Sequence, residues 1–517
     1  MTVDYTTATG IVLGTSALAL GTVGSLCGSQ LAQDTGCPSL PRGYGLVFMV
    51  VGYGSLVPVL ACIVAAMVDA HKSRRESIAL LSKRQYTVFY RGECISARLA
   101  VYVYVGHFLS CWTSGLWQYA VPFLLGKLAP AAPVMLLPLT SAAGLVPIMP
   151  LLAQYVDATD RWRLVRATVV TGPVLSAFGA MCMTGLASAD AEPWLQALAL
   201  GGTCLCGALV GAVRNLHTLA LEKDWVIELA LVSQTPLAAW NITLRQIDLA
   251  TRLVAPIAFS ALLGVAVDSA SPWRLWLAVV VLWQVFLTPL RLATLRDVYV
   301  LCPALQAKTL SITAEFSSAQ YGALAAAFVR HPTCLVAVSS GLLAMTVLCD
   351  GHRATAAYLA QRGLLPWDLG GLGGAAMGLG GTLAFPWLLS CLHPVEKLGL
   401  GAVWWYLATL LPVGLLCVHA ASALGDRLLV ASVAVSQAAR LCTDLAQLQT
   451  MQEWVESDRR GAINGLQTTV KAACCLVMLL VETALGSPDK FHLLVGLSIA
   501  TTAVAAIVFT RWYALYV

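Results

Sequence analysis

Charged residues are scarce in this chain of 517 residues: 11% are Asp, Glu, Lys or Arg, whereas 58% are hydrophobic. The mean hydropathy of +0.78 excludes an ordinary soluble protein. Apolar runs of roughly twenty residues recur along the sequence, and each is long enough to cross the hydrocarbon core of a bilayer as a helix. The composition therefore predicts an all-α polytopic membrane protein in contact with the lipid bilayer.

Several motifs that would indicate another class of protein are missing from the sequence. Short alternating strands are absent, which excludes an outer-membrane barrel. The sixteen cysteines include no CxxC pair and no His/Cys zinc spacing. No nucleophile elbow, HExxH or P-loop occurs, so we expect neither enzyme activity nor a cofactor. The net charge of +5 lies mainly in loops, where it reports orientation in the membrane and not nucleic-acid binding.

The first 98 residues form a predicted extension with two apolar membrane helices, near 11–27 and 44–68. The segment 69–98 that follows carries seven Lys or Arg against three acids, which the positive-inside rule places in the cytosol. Cys27 and Cys37 flank a short polar loop and would form a disulfide if that loop is extracytosolic.

Twelve further apolar spans fall into two sets of six. The first set lies near residues 99–124, 131–155, 164–187, 193–216, 248–268 and 273–295, and the second near 334–358, 366–391, 398–418, 424–449, 463–485 and 491–513. The loops of the two sets echo each other: the loop from Lys223 through Arg245 corresponds in position to the loop from Glu453 through Asn464.

Two related six-helix halves are typical of the major-facilitator architecture, in which the substrate path lies between the halves. We therefore predict a major-facilitator-like fold with an N-terminal extension (1–98), an N-terminal six-helix bundle (99–296), a cytosolic linker (297–331) and a C-terminal six-helix bundle (332–517). Oppositely charged residues on cytosolic loops would form a gate that opens when the two halves move relative to each other. Asp157, Arg161 and Arg460 are the residues we expect in gate pairs.

The stretch 343–363 begins as an apolar helix and then places Cys349, Asp350, Gly351, His352 and Arg353 in consecutive positions. Ionisable groups at membrane depth survive where they face partners or a watery cavity. A glycine inside such a cluster favours a broken helix, which is tolerated only where it lines a cavity. Thiol, carboxylate and imidazole together suit a borderline-soft divalent metal. The alternative is that these residues form the water-exposed end of a helix, in which Asp350 and Arg353 form an ion pair.

Six motifs occur in a fixed order across both halves. They are YVGHFLSCWTSGLWQYAV (104–121), EKDW (222–225), NITLRQIDLATRLVAP (241–256), MTVL (345–348), AFPWL (384–388) and RGAINGLQ (460–467). Together they resemble the ferroportin family, the metal exporters of solute carrier class forty. The resemblance spans about 99–513 and leaves 1–98 outside.

The resemblance implies a metal site with several departures. The family's metal-binding Asp and His in the first core helix fall on Ser114 and Gln118, two neutral groups that give a divalent ion no charge compensation. The family's metal-binding Cys in the broken seventh helix falls on His352, with Cys349 and Asp350 within one turn of it. We do not carry over the peptide-hormone regulation associated with that cysteine.

The family's partner histidine on the eleventh helix falls on Met478, and a nearby aspartate falls on Cys475. Asp224 and Asn241 match family positions near the cytosolic side of the pathway, where either gate hydrogen bonds or ion contact would explain them. The expected metal residues are therefore His352, Cys349, Asp350, Met478 and Cys475.

The resemblance implies export of a divalent transition metal, Fe²⁺ first, from the cytosol by alternating access. We expect a monomer in the plasma membrane, with an organelle membrane as the alternative. Two other functions stay open. One is a major-facilitator transporter of a small organic solute that has lost metal binding, and the other is a non-transporting membrane receptor or scaffold.

Overall fold

The structure is a computed structural model that describes residues 93–129, 135–186, 192–265, 272–307, 318–349, 352–361, 372–419, 423–485 and 490–517. The two predicted helices of the extension, the Cys27 and Cys37 pair, and the basic segment as far as residue 92 lie outside the described residues. Asp350 and Gly351 lie outside them as well.

The described part of the chain folds into helices that follow the apolar runs. In the first half they are α1 (Glu93–Leu128), α2 (Leu136–Ala158), α3 (Arg161–Leu186), α4 (Pro193–Ala220), a π-helical turn (Leu221–Trp225), α5 (Val226–Ser233), α6 (Leu237–Val265), α7 (Pro272–Leu301) and α8 (Pro303–Gln306). In the second half they are α9 (Ser318–Arg330), α10 (Cys334–Leu343), α11 (Arg353–Gln361), α12 (Leu372–Cys391), α13 (Val395–His419), α14 (Ala423–Trp454), α15 (Arg460–Ala484) and α16 (Phe491–Tyr516).

The predicted fold class is confirmed. The structure is 91% helical, with no strand in the part of the chain that it describes. Seven described helices are long and apolar enough to cross a membrane, and eight if the bent pair α9–α10 forms one span. That pair turns by 94°, at His331-Pro332-Thr333, because proline removes a backbone donor and clashes with the preceding turn.

The helices pack into two compact units. Of the described residues, those within 93–345 and Leu448–Leu485 form the larger unit, and those within Thr346–Gln447 and 490–517 form the smaller unit. Helix α15 belongs to the larger unit by its contacts, although it lies in the second half of the sequence. Contacts between the two sequence halves can therefore be followed inside the larger unit.

The fourth span is longer than the sequence prediction. We expected it to end near residue 216, with a loop from Lys223 through Arg245, but α4 passes through the π-helical turn into α5 and ends at Ser233. The predicted loop is wrong because Trp225, Val226 and Leu229 bury their side chains completely in the core of the larger unit and continue its apolar face. The chain turns only at Gln234, whose φ of 52° is left-handed, as is common at helix ends.

The next helix also begins earlier than expected. Helix α6 starts at Leu237 and not near residue 248, which places Asn241 and Arg245 on a helix. Asp157, Arg161 and Arg460, expected in loops, likewise occupy the helix termini of α2, α3 and α15. The predicted linker is partly helical, since it contains the end of α7, α8 and α9.

The seventh core helix is interrupted, but the break begins earlier than the sequence predicts: α10 ends at Leu343, and residues 344–349 are not helical. Side-chain hydroxyls form hydrogen bonds with the backbone of this interruption. The Val347 N–H donates to Ser498 Oγ at 3.0 Å, and the Val347 carbonyl accepts from Thr355 Oγ1 at 2.7 Å. The Leu348 N–H donates to Thr346 Oγ1 at 3.1 Å. These bonds make a non-helical backbone tolerable at membrane depth.

Helices α2 and α15 approach each other closely through glycine. A Cβ built at Gly461 would lie 2.6 Å from the Ala153 carbonyl oxygen, and one built at Gly465 would overlap the Ala153 Cβ. The two glycines are four residues apart and share one helix face. Small residues at this spacing let two membrane helices pack backbone to backbone.

The glycine contact gives a first prediction. Gly465→Ala should destabilise the protein by about 1–3 kcal/mol, because the added methyl forces α2 and α15 apart. Gly496→Ala on α16 is the matched control, since nothing lies within 4 Å of a Cβ there. Thermal unfolding in detergent should show a lower midpoint for the first variant and an unchanged or higher midpoint for the second. Equal midpoints would contradict the close contact.

Candidate functional site

Arg161, the first residue of α3, forms a buried bidentate ion pair with Asp224 in the π-helical turn. Its Nε and Nη2 donate to the two carboxylate oxygens at 2.8 Å each. The two side chains are 6% and 5% exposed, so the pair is shielded from water. Nη1 also donates to the Ala304 carbonyl in α8 at 3.1 Å. The planar guanidinium matches the carboxylate and fixes the start of α3 against the turn.

Two further charges extend this pair toward α15. Arg460 Nη1, at the start of α15, lies 2.8 Å from Glu228 Oε1 and 3.7 Å from Asp224 Oδ1. Glu228 Oε1 also lies 3.3 Å from Arg161 Nη2. Two arginines thus alternate with two carboxylates, and we name Arg161, Asp224, Glu228 and Arg460 the charge cluster. Alternating charges at these distances compensate one another in a site with little water.

Asp157, in the last turn of α2, caps the N-terminus of α15. Its Oδ1 accepts from the Gly461 N–H at 2.7 Å, and its Oδ2 accepts from the Ala462 N–H at 2.8 Å. The first backbone N–H groups of a helix lack partners inside the helix, and the helix dipole favours an anion there. Asp157 therefore stabilises the N-terminal end of α15.

Polar side chains add two links beside the charge cluster. The amides of Asn241 and Gln452 contact each other twice, at 2.6 and 3.1 Å. Lys223 Nζ donates to Gln467 Oε1 on α15 at 2.6 Å. For Asn241, the sequence left open whether it forms a gate hydrogen bond or contacts an ion. The structure shows it hydrogen-bonded to Gln452 at the end of α14.

The predicted metal residues of the larger unit lie in different surroundings. Ser114 is half-buried and Gln118 is exposed, both on α1. On α15, Met478 is 2% exposed, whereas Cys475 is half-buried.

In the smaller unit, Cys349 and His352 flank the undescribed pair of residues in the broken helix. Both side chains are half-buried, and the His352 N–H donates to the Cys349 carbonyl at 3.2 Å. The Arg440 guanidinium on α14 interacts electrostatically with Cys349 and with Asp444. A guanidinium beside the thiol repels a bare cation at that position.

Within the described residues, no group of three His, Cys, Asp or Glu side chains could hold a metal ion. Asp350, the predicted carboxylate of the set, lies outside those residues.

The sequence prediction missed two charged residues. Glu228 follows Asp224 by one helical turn, a relation that becomes visible only when α4 and α5 are understood as one continuous span. Arg440 stands in a 27-residue segment apolar enough to span the membrane, Leu428–Trp454. An ionisable residue inside such a run is itself a signal of a functional or paired group.

A family model described as Ferroportin1 (FPN1) matches residues 97–502. Solute carrier family 40 member 1 of Arabidopsis thaliana is 25% identical over 471 residues, which covers 80% of this chain and 87% of that protein. Ferreportin of Bdellovibrio bacteriovorus is 25% identical over 435 residues, covering 80% of this chain and 94% of the bacterial protein.

Solved structures support the same fold. A bacterial homologue of the iron transporter ferroportin in an outward-facing state matches with a TM-score of 0.71 at 21% identity, over 80% of this chain and 99% of that one. An inward-facing structure of a bacterial homologue matches with a TM-score of 0.57, over 80% and 98%.

The fold and the family match define a multi-pass integral membrane protein of the major-facilitator type, a transporter and not an enzyme. The chain belongs to the ferroportin family, as a divergent member. Metal transport is the activity that this membership supports.

The buried pair gives a second prediction. Arg161→Ala should destabilise the protein by about 3 kcal/mol, because it removes the bidentate partner of the buried Asp224 carboxylate. Arg163→Ala is the matched control: Arg163 lies exposed two residues along the same helix, so its change should stay within about 0.5 kcal/mol. Thermal unfolding of both variants checks the difference. Similar shifts for the two variants would contradict a stabilising role of the pair.

Proposed function

We propose that the protein exports a divalent transition metal, Fe²⁺ first, from the cytosol by alternating access. The mobile bodies in this proposal are the two six-helix halves, 99–296 and 332–517, joined by the linker 297–331. The observation that carries the proposal is the charge cluster, because it joins helices from both halves of the sequence inside the larger unit. A contact of this kind must break and reform when two halves rock.

The contacts of the site fall into two kinds that suit a gate. The Arg161–Asp224 pair joins α3 to the π-helical turn and lies within the first half. The Glu228–Arg460 pair and the Asp157 cap join the first half to α15. We infer that the first pair holds its half together while the contacts to α15 open. Groups that leave their partners during opening must then be rehydrated, so opening exposes this side to water.

The cargo site we propose centres on the broken helix between α10 and α11. His352 is the principal ligand in this proposal, and Cys349, Asp350, Met478 and Cys475 are its further candidate ligands. Three considerations support this choice: the non-helical backbone at 344–349, the neutral character of Ser114 and Gln118, and the preference of imidazole and sulfur for borderline metals. Arg440 beside Cys349 makes the thiol the weaker candidate, so the proposal rests on His352.

We further propose that the protein is a monomer in the plasma membrane.

The second candidate function is transport of a small organic solute, and Ser114 and Gln118 are the reason to keep it. Without charge at those two positions, the first half offers less compensation to a bare divalent ion.

The third prediction concerns transport by purified protein in proteoliposomes. Uptake should occur with Fe²⁺ or Co²⁺ in a panel that also contains Mn²⁺, Zn²⁺ and Cu⁺. His352→Ala should reduce metal uptake at least about tenfold, since disturbing even the supporting groups of a metal site costs that much. Gln118→Ala should leave uptake nearly unchanged and serves as the control in the other half.

Two outcomes would overturn the proposal in different ways. No transport of any metal in the panel would favour the organic-solute transporter or a receptor. Metal transport that is lost in Gln118→Ala and kept in His352→Ala would place the cargo site in the first half.

A further inference from the structure

An apolar groove runs along the outer face between α3 and α7. Its lining side chains are apolar apart from Thr288, and the main ones are Pro173, Val174, Phe178 and Met181 of α3 and Val285 and Pro289 of α7. The groove encloses about 450 Å³ and is open on its outer side, where Phe178 and Met181 are 55% and 66% exposed. Such a space favours hydrocarbon over water, because water inside it finds few hydrogen-bonding partners. The α3–α7 groove therefore suits a hydrocarbon chain.

The groove is built into the backbones of both helices. Pro173 lies inside α3 and Pro289 lies inside α7, and both line the groove. A proline inside a helix removes a backbone hydrogen bond and bends the helix. Two prolines that face each other across one space therefore account for it better than a single flexible side chain does.

An aromatic pair joins α3 and α7 at one end of the groove. Trp162, at the start of α3, stacks on Tyr299, near the end of α7, with 6.1 Å between the ring centroids and 30° between the planes. Trp and Tyr are enriched where a membrane meets water. Residues 157–166 around this end carry three arginines against two aspartates, which by the positive-inside rule indicates the cytosolic surface.

Two exposed arginines lie between the aromatic pair and the groove. Arg166 is four residues after Trp162 on α3, and Arg296 is three residues before Tyr299 on α7. Seven further residues, two helical turns, lead from Arg166 to Pro173 and likewise from Arg296 back to Pro289, so each arginine follows the groove-lining face of its helix. Contacts between the two helices on both sides of this level place the two arginines at the same height on neighbouring helices.

Both guanidinium groups are available to a ligand. Arg166 and Arg296 are exposed, and neither forms a hydrogen bond or an ion pair with another described residue. A guanidinium carries five N–H donors in a planar fork that matches the oxygens of a phosphate.

The carboxylates at this end of the two helices do not neutralise the arginines. Asp160 accepts from two backbone N–H groups at the start of α3 at 3.1 Å each, and from the Tyr299 hydroxyl at 3.0 Å. Asp297 is exposed and forms no ion pair with a described residue. The exposed cations at this end outnumber it; they are Arg163, Arg166 and Arg296. Positive charge beside an apolar groove at a membrane surface attracts an anionic headgroup.

We propose that the outer face of α3 and α7 binds one anionic phospholipid, with its phosphate between Arg166 and Arg296 and an acyl chain in the groove. Arginine recognises phosphate through paired N–H donors, and the cytosolic leaflet is the one that holds anionic lipids. The site goes beyond the proposed function, because it lies on the outer face of the first half and needs no metal.

The test is native mass spectrometry of the full-length protein, titrated separately with phosphatidylglycerol and with phosphatidylcholine of identical chains. The wild type should bind the first phosphatidylglycerol more tightly than the first phosphatidylcholine. Arg296→Gln should weaken phosphatidylglycerol binding about fivefold, and Arg166→Gln combined with it more than about tenfold, since each basic group near the headgroup contributes. Arg511→Gln is the matched control and should leave the affinity unchanged: Arg511 is also exposed and also lies five residues before the end of its helix, α16.

A variant of the groove tests the acyl chain separately from the headgroup. Ala177 lines the groove and is half-buried, so Ala177→Phe should fill the space, keep both arginines and still weaken phosphatidylglycerol binding. Thermal midpoints verify that each variant is folded.

Four results would overturn the proposal. They are equal affinity of the wild type for the two lipids, equal affinities in Arg296→Gln and Arg511→Gln, and wild-type phosphatidylglycerol binding by Ala177→Phe. The fourth is a dimer that separates into monomers in Ala177→Phe, which would assign the groove to a second copy of the chain.

Discussion

The bidentate ion pair between Arg161 and Asp224 is the contact on which the described site depends. It is buried in a protein that has few charges, so each of its partners is held in place by the cost of leaving the other unpaired. The pair fixes the start of α3 against the π-helical turn. That turn then aims Glu228, one helical turn further on, at Arg460 of α15.

The same physical rule accounts for the other notable charges of the chain. A charged side chain in a membrane bundle needs a partner, water or a ligand. Arg440 has Cys349 and Asp444, and Asp157 has the N-terminus of α15. Arg291 donates a hydrogen bond to the Ser110 hydroxyl on α1.

Much of the fold could be predicted from the sequence, because apolar runs of membrane length report helices directly. The prediction failed where polar residues occur inside a helix. Lys223 and Asp224 resemble a loop in the sequence, but the fully buried Trp225 and Val226 beside them keep the chain helical. The π-helical turn adds a residue to the helical repeat, which a regular period of 3.6 does not anticipate.

The candidate site was predictable in part. Asp157, Arg161 and Arg460 could be chosen as gate residues from their charge and their place between spans. Which of them pair could not be predicted, since pairing depends on the packing of α2 against α15 at Gly461 and Gly465. Nor did its charge alone indicate that Asp157 caps the N-terminus of α15. The metal residues remain predictions, because they rest on the family resemblance and on residue chemistry.

The central claim is that the Glu228–Arg460 pair closes a transport gate between the two halves. Uptake of Co²⁺ into proteoliposomes by Glu228→Arg, Arg460→Glu and the double exchange tests it most directly. Each single exchange places like charges together and should abolish most of the uptake. The double exchange restores the attraction between positions 228 and 460 and should recover part of the uptake, because the exchanged charges also face Arg161 and Asp224. A double exchange no faster than either single one, or single exchanges that transport at the wild-type rate, would contradict the account.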